Sequence, residues 1–320
     1  MCGIFGAIKT GSTSITLAAI KAVASEQEAR GMHAFGVAWI DSDNRLHQYK
    51  AEGRISQHLE IFDRMQNAKA IIGHTRYSTH GDPDHLINNH PHSCDGGWIV
   101  HNGVVSNHQD LNDQYDLLPT SECDSETLAL LIQTLDGTLL ERVAETVNLV
   151  ETDAPLCIAG IWQRTNRVAI ARRGNPLMMS EGKAGNLYFG SLGMSLPGEA
   201  KDVPADTAFL YDLTSGRTTE IELEPYKYGR TFAGSGTVMQ TCTAEENDDR
   251  EDGEDIASIF GDRLRFTDDD IWADYDDAGY DTIGSEHRSA CCGGLVATTA
   301  EGSHVCDDCM RPVTEEGGAA

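Results

Sequence analysis

A cysteine directly behind the initiator methionine can do chemistry that an internal cysteine cannot. Met is ordinarily trimmed when the second residue is small, so Cys2 is expected to lead the mature chain, with a thiol and an α-amino group on one residue. Reference pKa values of about 8.5 for the thiol and about 7.7 to 8 for the amine let that amine serve as the base near neutral pH, without a separate histidine. Position 2 alone is weak evidence, because terminal residues are usually loose. The run Gly-Ile-Phe-Gly-Ala-Ile at 3–8 reads as a buried strand that would clamp the terminus in a sheet.

Two other groups of residues have the right types for chemistry. His74, His80, His85, His90, His92, His101 and His108 fall within 35 residues, and His-x-His can grip a metal on a strand, which would make a metal-dependent hydrolase. Such sites usually recruit carboxylates at defined distances, and that reading leaves Cys2 unexplained. Near the C-terminus, His287, Cys291, Cys292, Cys306 and Cys309 include one Cys-x-x-Cys, the usual half of a tetrahedral zinc site. The first half is irregular, with Ser289 where the other thiolate would stand, and Cys291, His287 and His304 compete as fourth ligand. A segment this short cannot fold on apolar burial alone, so a structural zinc is the expected stabiliser, against free or redox-paired thiols.

The elements that must position these residues follow from pattern. Hydrophobic runs at 34–41 and 45–51, joined by Ser-Asp-Asn, predict a hairpin. Short strands at 70–74 and 98–101 each run into polar, Gly-containing segments where functional groups can be displayed. Helices are expected from Thr13 or Ser14 to about Ala29, around 57–67, and at 122–135 and 138–149, followed by strands at 156–163, 168–172, 187–190, 207–212 and 218–223. Strands in consecutive groups interrupted by helical pairs favour antiparallel sheets with layered helices, an α+β arrangement.

Composition excludes several partners. The 320 residues carry a net charge of −27, which opposes docking on bare nucleic acid or an anionic membrane. Residues 1–240 hold 29 acidic and 19 basic side chains, and 241–320 hold 22 and 5, so the two parts are read separately. Only 7 of the 24 bases are Lys, and excess Asp with Arg would suit a high-salt cytoplasm. No run approaches the roughly 18 apolar residues of a membrane helix, no basic stretch precedes an apolar one at the N-terminus, and nine scattered cysteines do not resemble a secreted disulfide framework. A cytoplasmic location is expected.

The decisive pattern is ordered. Met-Cys-Gly-Ile-Phe-Gly at the start is followed by Arg30-Gly31 and Gly36, then by Gly-His-Thr-Arg-Tyr-Ser-Thr-His-Gly at 73–81. Asn-His-Pro-His at 89–92, His-Asn-Gly at 101–103, Ser-Glu-Cys-Asp-Ser-Glu at 121–126 and Ala-Arg-Arg-Gly-Asn-Pro-Leu at 171–177 complete it. Through these motifs the sequence, from residue 2 to about 200, resembles the class II glutamine amidotransferases. Their glutaminase domain is an N-terminal nucleophile hydrolase, and the resemblance is greatest to the glutaminase domain of glucosamine-6-phosphate synthase. It implies a four-layer α/β/β/α sandwich of two antiparallel sheets. It further implies that Cys2 attacks the carboxamide carbon of L-glutamine, that Asn102 and Gly103 donate to the oxyanion, and that Arg76 holds the α-carboxylate beside Thr79 and His80. Asp124 would pair with the α-ammonium, and Arg30 would fix the terminus and favour the thiolate. No cofactor is required for amide hydrolysis.

Blander readings stand beside these. Ser121-x-x-Asp124 could be a helix-capping arrangement, Asn102-Gly103 a turn, and Arg76 a surface cation. The expected organisation is a glutaminase domain at 1–240, an acidic linker or docking segment, largely disordered, at 241–284, and a Cys-rich, zinc-bound tail at 285–320. The roughly 80 mostly acidic residues after 240 are too few for a sugar isomerase or phosphoribosyltransferase portion. An ammonia-accepting synthase is therefore expected on a separate chain. A catalytically silent binding module is the alternative to an enzyme.

Overall fold

The computed structural model describes residues 2–78 and 82–227, together with the backbone of 296–298 and 304–306. In chain order the elements are β1 (Gly3–Ile8), α1 (Leu17–Gln27), β2 (Ala34–Ile40), β3 (Leu46–Glu52), β4 (Ala70–Arg76), β5 (His92–Cys94) and β6 (Gly97–Gly103). Helices α2 (His108–Gln114), α3 (Ser125–Thr134) and α4 (Leu139–Leu149) follow, then β7 (Leu156–Trp162), β8 (Arg167–Arg173), β9 (Met178–Glu181), β10 (Leu187–Gly190), β11 (Lys201–Asp202), β12 (Thr207–Asp212) and β13 (Thr218–Glu222). A separate pair, β14 (Val296–Thr298) and β15 (His304–Cys306), is antiparallel with Val296 opposite Cys306.

The strands form a seven-stranded sheet in the order β11-β9-β10-β1-β4-β2-β3 and a six-stranded sheet in the order β13-β12-β8-β7-β6-β5. Every named strand pairing in both is antiparallel. Successive side chains on a strand point to opposite faces, and here both faces are buried. Ile4, Ile8, Ala38, Ile40, Ala70 and Ile72 of one sheet meet Val100, Cys157, Ala159, Ile161, Val168, Ile170 and Phe209 of the other. The alternate residues Phe5, Ala7, Val37, Trp39 and Ile71 pack on Ile20, Val23 and Ala24 of α1. Ile158, Ala169, Ala171, Ala208 and Leu210 pack on α3 and α4. Three cores thus stack helix, sheet, sheet and helix in four layers, as the resemblance implies.

Local chemistry fixes the ends of these elements. Thr138 and Glu141 close a capping box at the start of α4. The buried Arg173 guanidinium donates to the carbonyls of Val147, Val150, Glu151 and Ala154 at 3.0, 3.1, 2.7 and 3.3 Å, which ties the last turn of α4 to the loop that follows it. Three expectations are corrected. Helix α1 begins after Thr16, because Thr13 and Ser14 turn their hydroxyls to Ala184 O and Asn67. The segment 57–67 is two 3₁₀ turns, Ile55–Gln57 and Leu59–Met65. Helix α3 starts at Ser125 and not at 122.

No helix among the described residues is long and apolar enough to cross a membrane. The expected linker at 241–284 lies outside the described residues, as does the tail at 285–320 apart from the β14–β15 backbone.

Candidate active site

Pairing of β1 with β4 sets Gly3 opposite Thr75 and Ile4 opposite His74. The residue before β1, Cys2, therefore arrives at the end of β4 beside Arg76 and Tyr77. The Tyr77 backbone N–H donates to Cys2 Sγ at 3.4 Å, and the thiol lies 3.5 Å from Tyr77 O. Arg30 Nε donates to Cys2 O at 2.6 Å, which gives Arg30 the anchoring position implied for it. Gly31 makes this approach possible, since a Cβ there would fall 2.4 Å from the Arg76 carbonyl carbon and 2.7 Å from Tyr77 N. The expected help to the thiolate is outweighed: burial pushes the Cys2 thiol up, while the Tyr77 backbone and nearby positive charge, including that of Arg76, pull it partly back.

Arg76 and Asp124 bring opposite charges to the same recess. Arg76 ends β4 with only 3% of its surface exposed, and its guanidinium donates to Asn89 Oδ1. It is not a surface cation. Asp124 is 5% exposed at the start of α3. It makes no side-chain cap bond to its own helix; one oxygen accepts the Val105 N–H at 2.7 Å and the other faces Ser125 Oγ at 3.4 Å. Ser121 instead donates to Glu126, so the Ser-x-x-Asp capping reading does not hold. Burying a carboxylate and a guanidinium together is costly unless both are matched, and a zwitterionic amino acid supplies that match.

The third component is the end of β6. Asn102 is buried, and its Nδ2 has no hydrogen-bond partner among the described residues. Gly103 has φ +151°, and a Cβ there would lie 2.7 Å from both His101 Nε2 and Pro155 O. This is not an isolated turn: the Asn175 amide donates to Asn102 O at 2.7 Å and to Pro155 O at 3.0 Å. A fixed backbone thus places Gly103 in the recess wall directly after a residue whose side-chain amide is unpaired among the described residues, and backbone and amide N–H groups are the donor types that stabilise an oxyanion. Cys2, Arg76, Gly103 and Asp124 line one recess of about 270 Å³, open mouth included, with Tyr77, Ser125, Cys123, His90 and His101 completing its wall.

The histidines divide. His74, His90, His92 and His101 are buried, with ring centroids 3.9 Å apart for His74 and His90 and 4.8 Å for His90 and His92. Burial draws His74 down to about 3 and His101 to about 4, and holds His90 and His92 well below the usual imidazole range. His101 Nδ1 lies 2.8 Å from Ser125 Oγ. His85 is exposed and His108 contacts Val105 O at 2.9 Å, so the seven do not form one centre. Thr79, His80, His287, Cys291, Cys292 and Cys309 lie outside the described residues, and Cys306 is placed by its backbone alone. Sequence reasoning missed Asn175 as a positioning group, although its motif was noted, and missed that Cys123 meets His90 and His92.

Comparison with known proteins agrees with this architecture. The chain is 31% identical over 221 residues to glutamine–fructose-6-phosphate aminotransferase (isomerizing) of Aquifex aeolicus, covering 67% of this chain and 36% of that protein. The enzyme of the same name from Bacillus subtilis is 33% identical over 195 residues, 58% of this chain and 31% of that one. The chain thus spans about a third of the length of these curated relatives. Among solved structures, the Bacillus subtilis glutamine phosphoribosylpyrophosphate amidotransferase with ADP and GMP superposes with a TM-score of 0.56 at 19% identity, over 69% of this chain and 49% of that one. A structure described as the allosteric regulatory enzyme of purine biosynthesis gives 0.57 at 17% identity, with the same coverage. These two likenesses establish the fold. No family model matches the chain.

Proposed function

We infer the activity from family and site together: the chain belongs to the class II glutamine amidotransferases, and we propose that its recess hydrolyses L-glutamine to L-glutamate and ammonia. Cys2, leading the chain once Met1 is removed, adds through sulfur to the carboxamide carbon. Its α-amine takes the thiol proton and passes it to the departing nitrogen, so ammonia leaves and a glutamyl thioester remains. Water, deprotonated by the same amine, adds to the thioester carbon; glutamate departs as the carbon–sulfur bond breaks and the thiol is restored.

Asn102 Nδ2 and the Gly103 N–H receive the negative oxygen in both tetrahedral steps. A donor of this kind contributes about 2.7 to 4 kcal/mol in the transition state. Arg76 takes the α-carboxylate with its planar fork and Asp124 the α-ammonium, which selects a free amino acid over a peptide. Thr79 and His80 complete the carboxylate end in this proposal. The ammonia passes to an acceptor synthase, which we place on another chain.

One observation carries the reading. A half-buried Cys2 thiol shares its recess with a buried carboxylate and a buried guanidinium, the counter-charges of one zwitterion. Glutamate release by the purified protein, lost in Cys2→Ala, is the expected result, with mass spectrometry finding Cys2 as the first residue of the active species. Full turnover by a chain that retains Met1 would overturn the mechanism.

A further inference from the structure

At the wall of the recess, three side chains of metal-ligating types converge. His90 lies just before β5, His92 opens β5, and Cys123 precedes α3. All three are buried, and one ligand atom from each lies within 4.8 Å of the others. Both ring nitrogens of His90 and Nε2 of His92 have no hydrogen-bond partner among the described residues. Buried polar atoms are almost always paired, and each exception calls for a ligand, ion or water.

We propose that His90, His92 and Cys123 bind a single zinc ion at the inner end of the recess. Two imidazoles and a thiolate are zinc donors, with bonds of about 2.0–2.1 Å to nitrogen and about 2.3 Å to sulfur, which set tetrahedral edges near 3.5 Å. The three atoms reach that spacing by closing in about an ångström. Burial keeps both imidazoles neutral, the form that donates a lone pair. The Cys123 thiol, pushed up to about 11 by burial, is deprotonated by the metal itself. Lys50 and Arg76 are the neighbouring cations that oppose the ion. The thiolate and Asp124, whose Oδ1 is 3.8 Å from Cys123 Sγ, offset them. Three protein ligands leave a fourth position, and His90 and Cys123 both reach the recess wall, so that position opens toward Cys2. His90-Pro91-His92 is the His-x-His the sequence offered, but the third ligand, Cys123, comes from a separate segment that no local spacing links to it.

The site is independent of the glutaminase reading, and its test does not use turnover. In full-length protein carrying Cys291→Ser, Cys292→Ser, Cys306→Ser and Cys309→Ser, which removes the tail thiolates, Co²⁺ titration is expected to reach one equivalent with a sulfur-to-cobalt charge-transfer band. Zn²⁺ should displace it. Adding Cys123→Ser should abolish the band with the circular dichroism unchanged, and adding His92→Asn should weaken Co²⁺ affinity at least tenfold. No stoichiometric uptake, which would leave water as the partner of the ring nitrogens, overturns the proposal, as does a band that survives Cys123→Ser. Should Cys123→Ser fail to fold, His92→Asn decides, and unaltered affinity counts against the site.

Discussion

Asn175 does not line the recess, yet its amide holds two carbonyls, Asn102 O and Pro155 O, and so sets where the end of β6 stands. An ordinary hydrogen bond contributes about 0.5 to 1.5 kcal/mol, and misplacing oxyanion donors by a fraction of an ångström is felt in the transition state more than in ground-state binding. Asn175→Ala is therefore expected to lower kcat for glutamate release about tenfold, equivalent to about 1.4 kcal/mol, while KM changes little. Steady-state kinetics distinguish this from loss of substrate binding, in which KM would rise at constant kcat. At this scale the ordered motifs marked Cys2, Arg76, Gly103 and Asp124, which the fold brings to one recess. The sequence was not legible for Asn175, because an amide that acts on a backbone 73 positions away has no local pattern.

Elements were legible where packing writes a period into the chain. Helices α3 and α4 and the β2–β3 hairpin carry apolar stripes or a turn composition. Helix α2 buries only Leu111 among its seven residues, so it has no stripe to find, and Ile61, Phe62 and Met65 fit a 3₁₀ turn as well as an α-helix over so short a run. The start of α3 shows how an element positions the site. Glu126 accepts from the Thr120 and Ser121 backbone N–H groups at 3.0 and 2.6 Å and from both hydroxyls at 2.9 and 2.6 Å, tying down the loop that delivers Asp124. Burial raises the Glu126 carboxyl, but the bonds from Ser121 and Thr120 outweigh it and hold the pKa below the ordinary value. A folded-state pKa below the unfolded one means stability that is present above about pH 4.3 and lost as pH falls through the lowered value. Relative to Glu126→Gln, the native protein should be more stable by about 1 kcal/mol at pH 7, a figure discounted for the half-exposed carboxylate. Urea melts from pH 7 to 3 should show that difference closing below about pH 4.3; a difference that stays constant would separate the loop from Glu126 ionisation.

Residues 2–78 and 82–227 form one four-layer sandwich, one end of which gathers residues from the start of β1, β4, β6, the approach to β5 and the start of α3, and only folding brings them together. Strands in consecutive groups interrupted by helical pairs pointed to antiparallel sheets with layered helices, and the ordered motifs pointed to which sandwich. The meeting of His90 and His92 with Cys123 appears only once α3 is laid across the end of β5. Charge acts at this same scale. Of the net −27, the part up to residue 240 contributes −10, so acidic repulsion is present in the sandwich as well as in the residues after it. Self-repulsion destabilises a compact state, and raising ionic strength from 0.1 M to 1 M shortens the screening length from about 10 Å to about 3 Å. If excess Asp over Lys is an adaptation to salt, the Tm of the full chain should climb by several degrees, about 1 kcal/mol of stability, as KCl rises through that range. Sorbitol at matched osmolarity, which screens nothing, should leave a smaller shift. Thermal melts that are flat in KCl would show that the sandwich tolerates its charge unaided and that the acidity serves something other than salt.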